Sequence, residues 1–263
     1  MKRRFAWEPL LAAAIIAIGI HIPLEAALSE ELHKTYPLDA DGRISLSNVN
    51  GAVHIVGWDR NEVQVDAVKR APTKEALADA RIVIDSASSS ISIRTRYPER
   101  NHRRETASVE YTLKVPRRAR LHAIEAVNGA VDVSGVSGDV KISSVNGPVT
   151  AKNLAGGEAR LSTVNGRLDA SFDKLPQASS IALNTVNGSI SLAIPDHSNA
   201  DFSVSTVHGS ISSDFGFPST RGHGHGSLTG QIGTGSGAHI KLSSVNGGIR
   251  ILSMVGGHRV LHT

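Results

Sequence analysis

KISSVNGPVTA (141–151), RLSTVNGRLDA (160–170), ALNTVNGSISL (182–192), SVSTVHGSISS (203–213) and KLSSVNGGIRI (241–251) are versions of one pattern. Each has Ile, Leu or Val three residues before a Val, then Ser or Thr, then the triplet Val-Asn-Gly or its variant Val-His-Gly, then alternating apolar and polar residues. The turn positions are Asn50-Gly51, Asn128-Gly129, Asn146-Gly147, Asn165-Gly166, Asn187-Gly188, His208-Gly209 and Asn246-Gly247. From Asn128 the steps are 18, 19, 22, 21 and 38 residues, and self-similarity at a period near 20 signals a repeat architecture. The last step is twice 19, with the Gly-rich stretch 228–233 where an unmarked repeat would fall. Asn50 precedes Asn128 by 78 residues, about four periods without a triplet between.

Asn-Gly favours positive φ at both residues and marks a turn between strands. A hairpin is the first interpretation, but antiparallel pairs would need a second turn signal of equal strength, and none recurs. The pattern therefore predicts an all-β fold, a parallel β-solenoid (β-helix) with rungs of 18–22 residues, stacked about 4.8 Å apart. Six steps from Asn128 to Asn246 would span roughly 29 Å at that spacing. Short aliphatic residues would line the interior in columns: Ile142, Leu161, Leu183, Val204 and Leu242 in one, Val149, Leu168, Ile190, Ile211 and Ile249 in another. The corner Asn residues would form an amide ladder, which His208 would interrupt. Gly166 would sit at positive φ, where a β-branched side chain is strained.

The 263 residues are 40% apolar but only 4% aromatic, so the core must be aliphatic, and absent cysteine excludes disulfides and thiolate sites. A net charge of +4 is too small for a dedicated nucleic-acid binder. Lys2, Arg3 and Arg4 precede the apolar run Leu10–Ile20, so residues 1–26 have the form of a signal peptide or an uncleaved N-terminal membrane anchor. Either form places the rest outside the cytoplasm, in the periplasm, at the surface or tethered to the membrane. Of 25 glycines, 21 lie at or after residue 121. The expected division is an irregular β-rich N-terminal half or cap over 36–120 and the Val-Asn-Gly solenoid over 121–255. TKEALADAR (73–81) is the one helix-like stretch of the exported part.

With ISLSNVNGAVHIVGWD (44–59), the Val115-Pro116 strand end, the serial Val-Asn-Gly rungs and Gly230-Gln231-Ile232-Gly233, residues 36–253 resemble the putative-adhesin β-strand-repeat family, long filed as a domain of unknown function. The resemblance implies an exported, right-handed parallel β-solenoid-like domain, often membrane-attached. It transfers no catalytic residue.

Three clusters could carry chemistry. His223 and His225 in RGHGHG (221–226), with His208 and His239 in the neighbourhood, could clip a metal, but no Asp, Glu or Cys supplies a third ligand at useful spacing and two ligands make no zinc site; a Gly/Ser/His loop over 214–237 is the plainer reading, and no cofactor is expected. Arg94, Arg96, Arg100, Arg103, Arg104, Arg117, Arg118 and Arg120, with Lys114, face three acids in 94–120, an excess that could attract an anionic surface. Asp132, Asp139, Asp169 and Asp173 sit in rungs, but acids do not recur in column (Thr150, Asp169 and Ser191 are equivalent), as paired carboxylate catalysis would require. Trp58 is expected to pack over the first rung. The functional expectation is a non-enzymatic envelope protein whose rigid surface binds a polymer or protein. A tethered envelope-stress or signalling accessory is the alternative, and a polysaccharide-active β-helix enzyme fits less well.

Overall fold

The computed structural model describes residues 28–98, 107–217, 220–221, 226–234, 237–255 and 258–259. The expected signal peptide or anchor over 1–26, Arg100, Arg103, Arg104, His223 and His225 lie outside the described residues.

The protein is all-β, with two long sheets of eleven strands each among the described residues. Sheet I holds the strands that lead into each triplet, such as Val140–Asn146, and sheet II those that leave it, such as Val149–Leu154. Alternation sets the faces: Val140, Ile142 and Ser144 point inward, Lys141, Ser143 and Val145 outward. The corners lie in one register, Asn50, Asn128, Asn146, Asn165, Asn187, Asn246 and then His208, and each strand pairs in parallel with the next. Leu46, Ile124, Ile142, Leu161, Leu183, Leu242 and Val204 form one buried column. Val53, Val131, Val149, Leu168, Ile190, Ile249 and, half-buried, Ile211 form another from sheet II. Aliphatic side chains of similar volume repeat at each layer, so the two sheets keep a constant separation.

The layers do not follow chain order. Ala238–Asn246 and Ile249–Val255 slot between the layer of Ser180–Pro195 and that of Ala200–Ser213. Four layer steps, roughly 19 Å, thus separate Asn128 from Asn246, instead of six. The stretch 228–233 is no unmarked rung: Gly226–Ile232 folds back antiparallel on Ala200–His208, with Ala200 opposite Ile232. That fold-back occupies the outer edge of Ala200–His208 and leaves its inner edge for the last repeat. Phe202, Phe215 and Phe217, with ring centroids 5.2–6.4 Å apart, close this end.

At the other end Asn50 stacks directly on Asn128 despite the 78-residue gap. The intervening chain runs outward: Ser90–Arg96 and Ser108–Pro116 add one more parallel layer. Antiparallel strands Arg81–Ala87, Glu62–Ala71 and Leu28–Pro37 finish the two sheets. The edge strand Leu28–Pro37, which the repeat pattern does not predict, is largely exposed and carries Glu30, Glu31, His33 and Lys34, charges that deter further strand pairing. Lys74–Asp79 is helical, and the Thr73 hydroxyl accepts from the Ala76 N–H at 3.2 Å.

The corners are built differently from the expectation. None of the corner Asn residues has positive φ, and of the corner glycines only Gly51 (φ +114°) and the nearly extended Gly129 (φ +158°) do. What requires glycine is stacking distance. An ideal Cβ on Gly166 would lie 2.1 Å from the Gly147 carbonyl oxygen, one on Gly188 1.9 Å from that of Gly166, and one on Gly247 1.9 Å from that of Gly188. The same carbonyls accept hydrogen bonds from the buried Ser or Thr of the next layer: Thr163 to Gly147 (3.2 Å), Thr185 to Gly166 (3.1 Å), Ser244 to Gly188 (3.0 Å) and Thr206 to Gly247 (2.9 Å). This explains the hydroxyl residue before Val164, Val186, Val207 and Val245. In the first layer Asn48 takes that place, donating to the carbonyls of Gly51 (3.0 Å) and Val109 (2.8 Å) and accepting from Thr95 (2.9 Å).

Candidate binding faces

Three outward surfaces follow from this stacking. The first is the corner ridge. Each corner Asn donates its amide N–H to the Oδ1 of the layer below: Asn128 to Asn50 (2.9 Å), Asn146 to Asn128 (3.0 Å), then Asn165 to Asn146, Asn187 to Asn165 and Asn246 to Asn187 at 2.8 Å each. His208 lies above Asn246, so it ends the ladder and does not interrupt it. Beside the ladder runs a stripe of Val127, Val145, Val164, Val186 and Val245, each 38–42% exposed. The signal was in the sequence, since alternation from the buried Ile, Leu or Val three residues earlier turns each of these Val residues outward.

The second is the outer face of sheet I. Lys141, Arg160, Ala182, Lys241 and Ser203 form one row, Ser143, Ser162, Asn184, Ser243 and Ser205 another. Arg160 is paired with Glu158 (2.8 Å), and His239 lies 3.6 Å from Asp201. The short Ala182 leaves a shallow depression between Arg160 and Lys241 of about 500 Å³.

The third is the outer face of sheet II. Its central row runs Thr112, His54, Asp132, Thr150, Asp169, Ser191, Arg250 and Ser212. Thr150, Asp169 and Ser191 are equivalent, as the repeats predict. A groove of about 430 Å³ opens over Ser191, walled on one side by the Arg167–Asp169 pair (2.6 Å) and on the other by Arg250. Arg250 and Lys241 were not candidates from the sequence, because chain order puts Ser212 and Ser203 beside Ser191 and Ala182.

The carboxylates singled out in the rungs have separate partners and do not converge on one site. Asp132 lies 3.2 Å from His54 Nδ1, Asp139 accepts from the Glu158 N–H, Asp169 pairs with Arg167, and Asp173 accepts from Asn153. No cluster of three metal-ligating side chains occurs among the described residues. The arginine run is divided by the fold. Arg94 and Arg96 close strand Ser90–Arg96 in sheet I, whereas Arg117, Arg118 and Arg120 follow Ser108–Pro116, whose nine residues cross the stack to the opposite edge. Arg94 pairs with Asp85 (2.5 Å), Arg117 with Asp59 (2.7 Å) and Arg120 with Asp41 (3.5 Å).

Trp58 is half-buried at the end of Val53–Trp58, its indole N–H donating to the Glu62 carbonyl (2.8 Å) and its ring lying near Arg60 and Lys114. Burial pushes the phenols of Tyr97 and Tyr111 up to about 12. Tyr111 OH is hydrogen-bonded with Thr95 (2.8 Å), and Tyr97 donates to the Ala107 carbonyl (2.9 Å). The His197 ring beside the exposed Asp196 (2.8 Å) holds that carboxyl below its ordinary range.

A family model, Toastrack DUF4097, matches residues 22–252. No curated protein matches the chain. Among solved structures, a putative cell adhesion protein from Clostridium sporogenes is similar over 84% of this chain and 99% of its own, with 11% identity and a TM-score of 0.50. A putative adhesin from Parabacteroides merdae is similar over 84% of this chain and 81% of its own, with 12% identity and a TM-score of 0.43. At such identities the likeness to the clostridial protein is one of fold alone. No helix of the described residues is long and apolar enough to cross a membrane.

Proposed function

This chain belongs to the Toastrack DUF4097 family, and on that premise we propose that it is a non-enzymatic, exported cell-envelope protein. Its stack is a parallel β-solenoid, residues 36–120 cap it, residues 121–255 form the repeat body, and residues 1–26 direct export. Its work is adhesion to, or binding of, an envelope polymer or protein partner.

One observation carries the reading: every layer repeats the same outward positions at about 4.8 Å, so side chains stand in rows along the stack. The Asn ladder is the clearest of these rows, spanning six corners. A ruled, stiff surface of this kind suits a partner that is itself repetitive, because each added layer adds equivalent contacts and the ordering cost is met once. The carboxylates in the rungs support a binding role over glycan cleavage, since they are engaged one by one, Asp169 in an ion pair, Asp173 by a side-chain amide and Asp139 by a backbone N–H.

The test is co-sedimentation of the full chain with insoluble envelope fractions and purified cell-wall polymers. The expected result is saturable retention on at least one polymer. Recovery of all the protein in the supernatant at every polymer concentration would sink the adhesive reading. Appearance of reducing ends in the same incubations would favour the enzyme. Fractionation of cells expressing the chain with and without residues 1–26 tests export: the truncated form should stay in the cytoplasm.

A further inference from the structure

The groove on sheet II has a composition that names its ligand. It is a grid of two outward rows over four layers. One row is Arg167, Ser189, Gly248 and Ser210, linked layer to layer by backbone hydrogen bonds around Leu168, Ile190 and Ile249. The other is Asp169, Ser191, Arg250 and Ser212. Three layer steps make it roughly 14 Å long, and its volume of about 430 Å³ falls within the ordinary range for small-molecule sites, about 300–1,000 Å³. The hollow exists because Gly248 has no side chain where the other repeats have Pro148, Arg167, Ser189 or Ser210, and because serines floor the rest.

The charges within it are uneven. Arg167 is held by Asp169 at 2.6 Å, whereas Arg250 makes no ion pair among the described residues. Ser189, Ser191, Ser210 and Ser212 likewise use their hydroxyls in no hydrogen bond among the described residues. One uncompensated guanidinium, one paired carboxylate and four open hydroxyls give a lining of net charge +1 that can donate to and accept from several hydroxyl groups. A phosphate dianion would leave a negative charge facing Asp169, and a neutral sugar would leave Arg250 without a partner. The inserted last repeat supplies both Gly248 and Arg250, so the topology itself builds the site.

We propose that this groove binds a monoanionic sugar unit, a carboxylate-bearing residue of an acidic glycan, with its carboxylate on Arg250 and its hydroxyls on the serine floor. The assignment rests on the binding reading above and deepens it. The test is calorimetric titration of the full chain with oligogalacturonate, with a neutral galacto-oligosaccharide of equal length and with inorganic phosphate. The expected result is saturable uronate binding at least ten-fold tighter than either comparison. R250Q should weaken it at least ten-fold, and S191L, which fills the floor, should abolish it, with unfolding curves confirming that both variants fold. K74Q, on the short helix Lys74–Asp79 at the other end of the stack, should stay within two-fold of wild type. Absence of uronate binding, phosphate binding of equal strength, or an R250Q chain within two-fold of wild type each overturns the proposal. A chain that sediments with an envelope polymer while R250Q leaves uronate binding unchanged defeats this assignment and keeps the adhesive reading. A chain that binds oligogalacturonate in the groove and sediments with no envelope fraction does the reverse.

Discussion

Replacing Gly188 by Ala adds one methyl group, and its cost follows from the stacked corners. The new Cβ would sit 1.9 Å from the Gly166 carbonyl oxygen and 2.6 Å from its carbon, against about 3.4 Å for ordinary contact. Both atoms belong to the backbone, so the layers must part locally by about 1.5 Å. Three bonds cross that gap: Gly166 N–H to the Asn187 carbonyl (3.0 Å), the Asn187 amide to Asn165 (2.8 Å) and the Thr185 hydroxyl to the Gly166 carbonyl (3.1 Å). At about 0.5–1.5 kcal/mol each, with about 1–3 kcal/mol for overpacking, the loss is roughly 2.5–7.5 kcal/mol. For a chain of this size that lowers the melting temperature by about 5–30 °C. The control is Gly157→Ala, whose Cβ would meet nothing within 4 Å; it should be neutral or stabilise by up to about 1 kcal/mol. Gly188→Asn separates the causes, because Asn tolerates left-handed φ better than Ala yet is larger. Calorimetric or circular-dichroism melts of the three variants decide. A Gly188→Ala melt within 1 °C of wild type, or a Gly188→Asn chain clearly more stable than Gly188→Ala, would refute the stacking argument.

Thr185→Val removes the hydroxyl from the Gly166 carbonyl and should cost about 0.5–1.5 kcal/mol in urea unfolding. Ser144→Ala should be close to neutral, because the buried Ser144 hydroxyl has no partner among the described residues; equal losses in the two would contradict this accounting. His208→Asn should extend the amide ladder by one bond to Asn246 and stabilise by roughly 0.5–1.5 kcal/mol, read as a higher urea midpoint. The tyrosines predict the alkaline limb. With Tyr97 and Tyr111 raised to about 12 from an unfolded value of 10.0, the folded state holds them protonated; their contribution is complete below about pH 10 and is lost as pH rises toward 12. Ultraviolet titration should show two of the three tyrosines ionising late and together with unfolding, and Tyr111→Phe should remove one of them.

The columns were legible because identical corners bend the chain by the same amount, so an Ile three residues before one Val meets a Leu three residues before another. Ile142 and Leu161, or Leu168 and Ile190, could be paired from the triplet alone. The order of layers was not legible for the same reason. Every Val-Asn-Gly repeat offers an equivalent edge, and nothing in KLSSVNGGIRI says whether it belongs above or below SVSTVHGSISS. The choice is made by a non-repetitive element, the fold-back of Gly226–Ile232 onto Ala200–His208, backed by Phe202, Phe215 and Phe217. The corner conformation was misjudged because Asn-Gly has a strong local preference for left-handed turns, which stacking overrides: tertiary contact, and not φ, selects the glycine. The groove was hidden because it needs the true neighbour of Ser191, although the departure from pattern at Gly248 was visible.

The placement of the final repeat also bears on how the chain assembles. Synthesis or translocation from the N-terminus can pile the first layers as they emerge, up to Ile190–Pro195. The Ala200–Ser213 segment then lacks its native neighbours, which lie in residues 238–251, still to come. The last repeat is thus a keystone, and a chain cut at residue 237 would bare the naked strand edges of Ser180–Asn187 and Ile190–Pro195, open templates for other chains. Closure of the stack therefore waits on residues 238–255, and a chain lacking them is sticky and exposed to proteolysis.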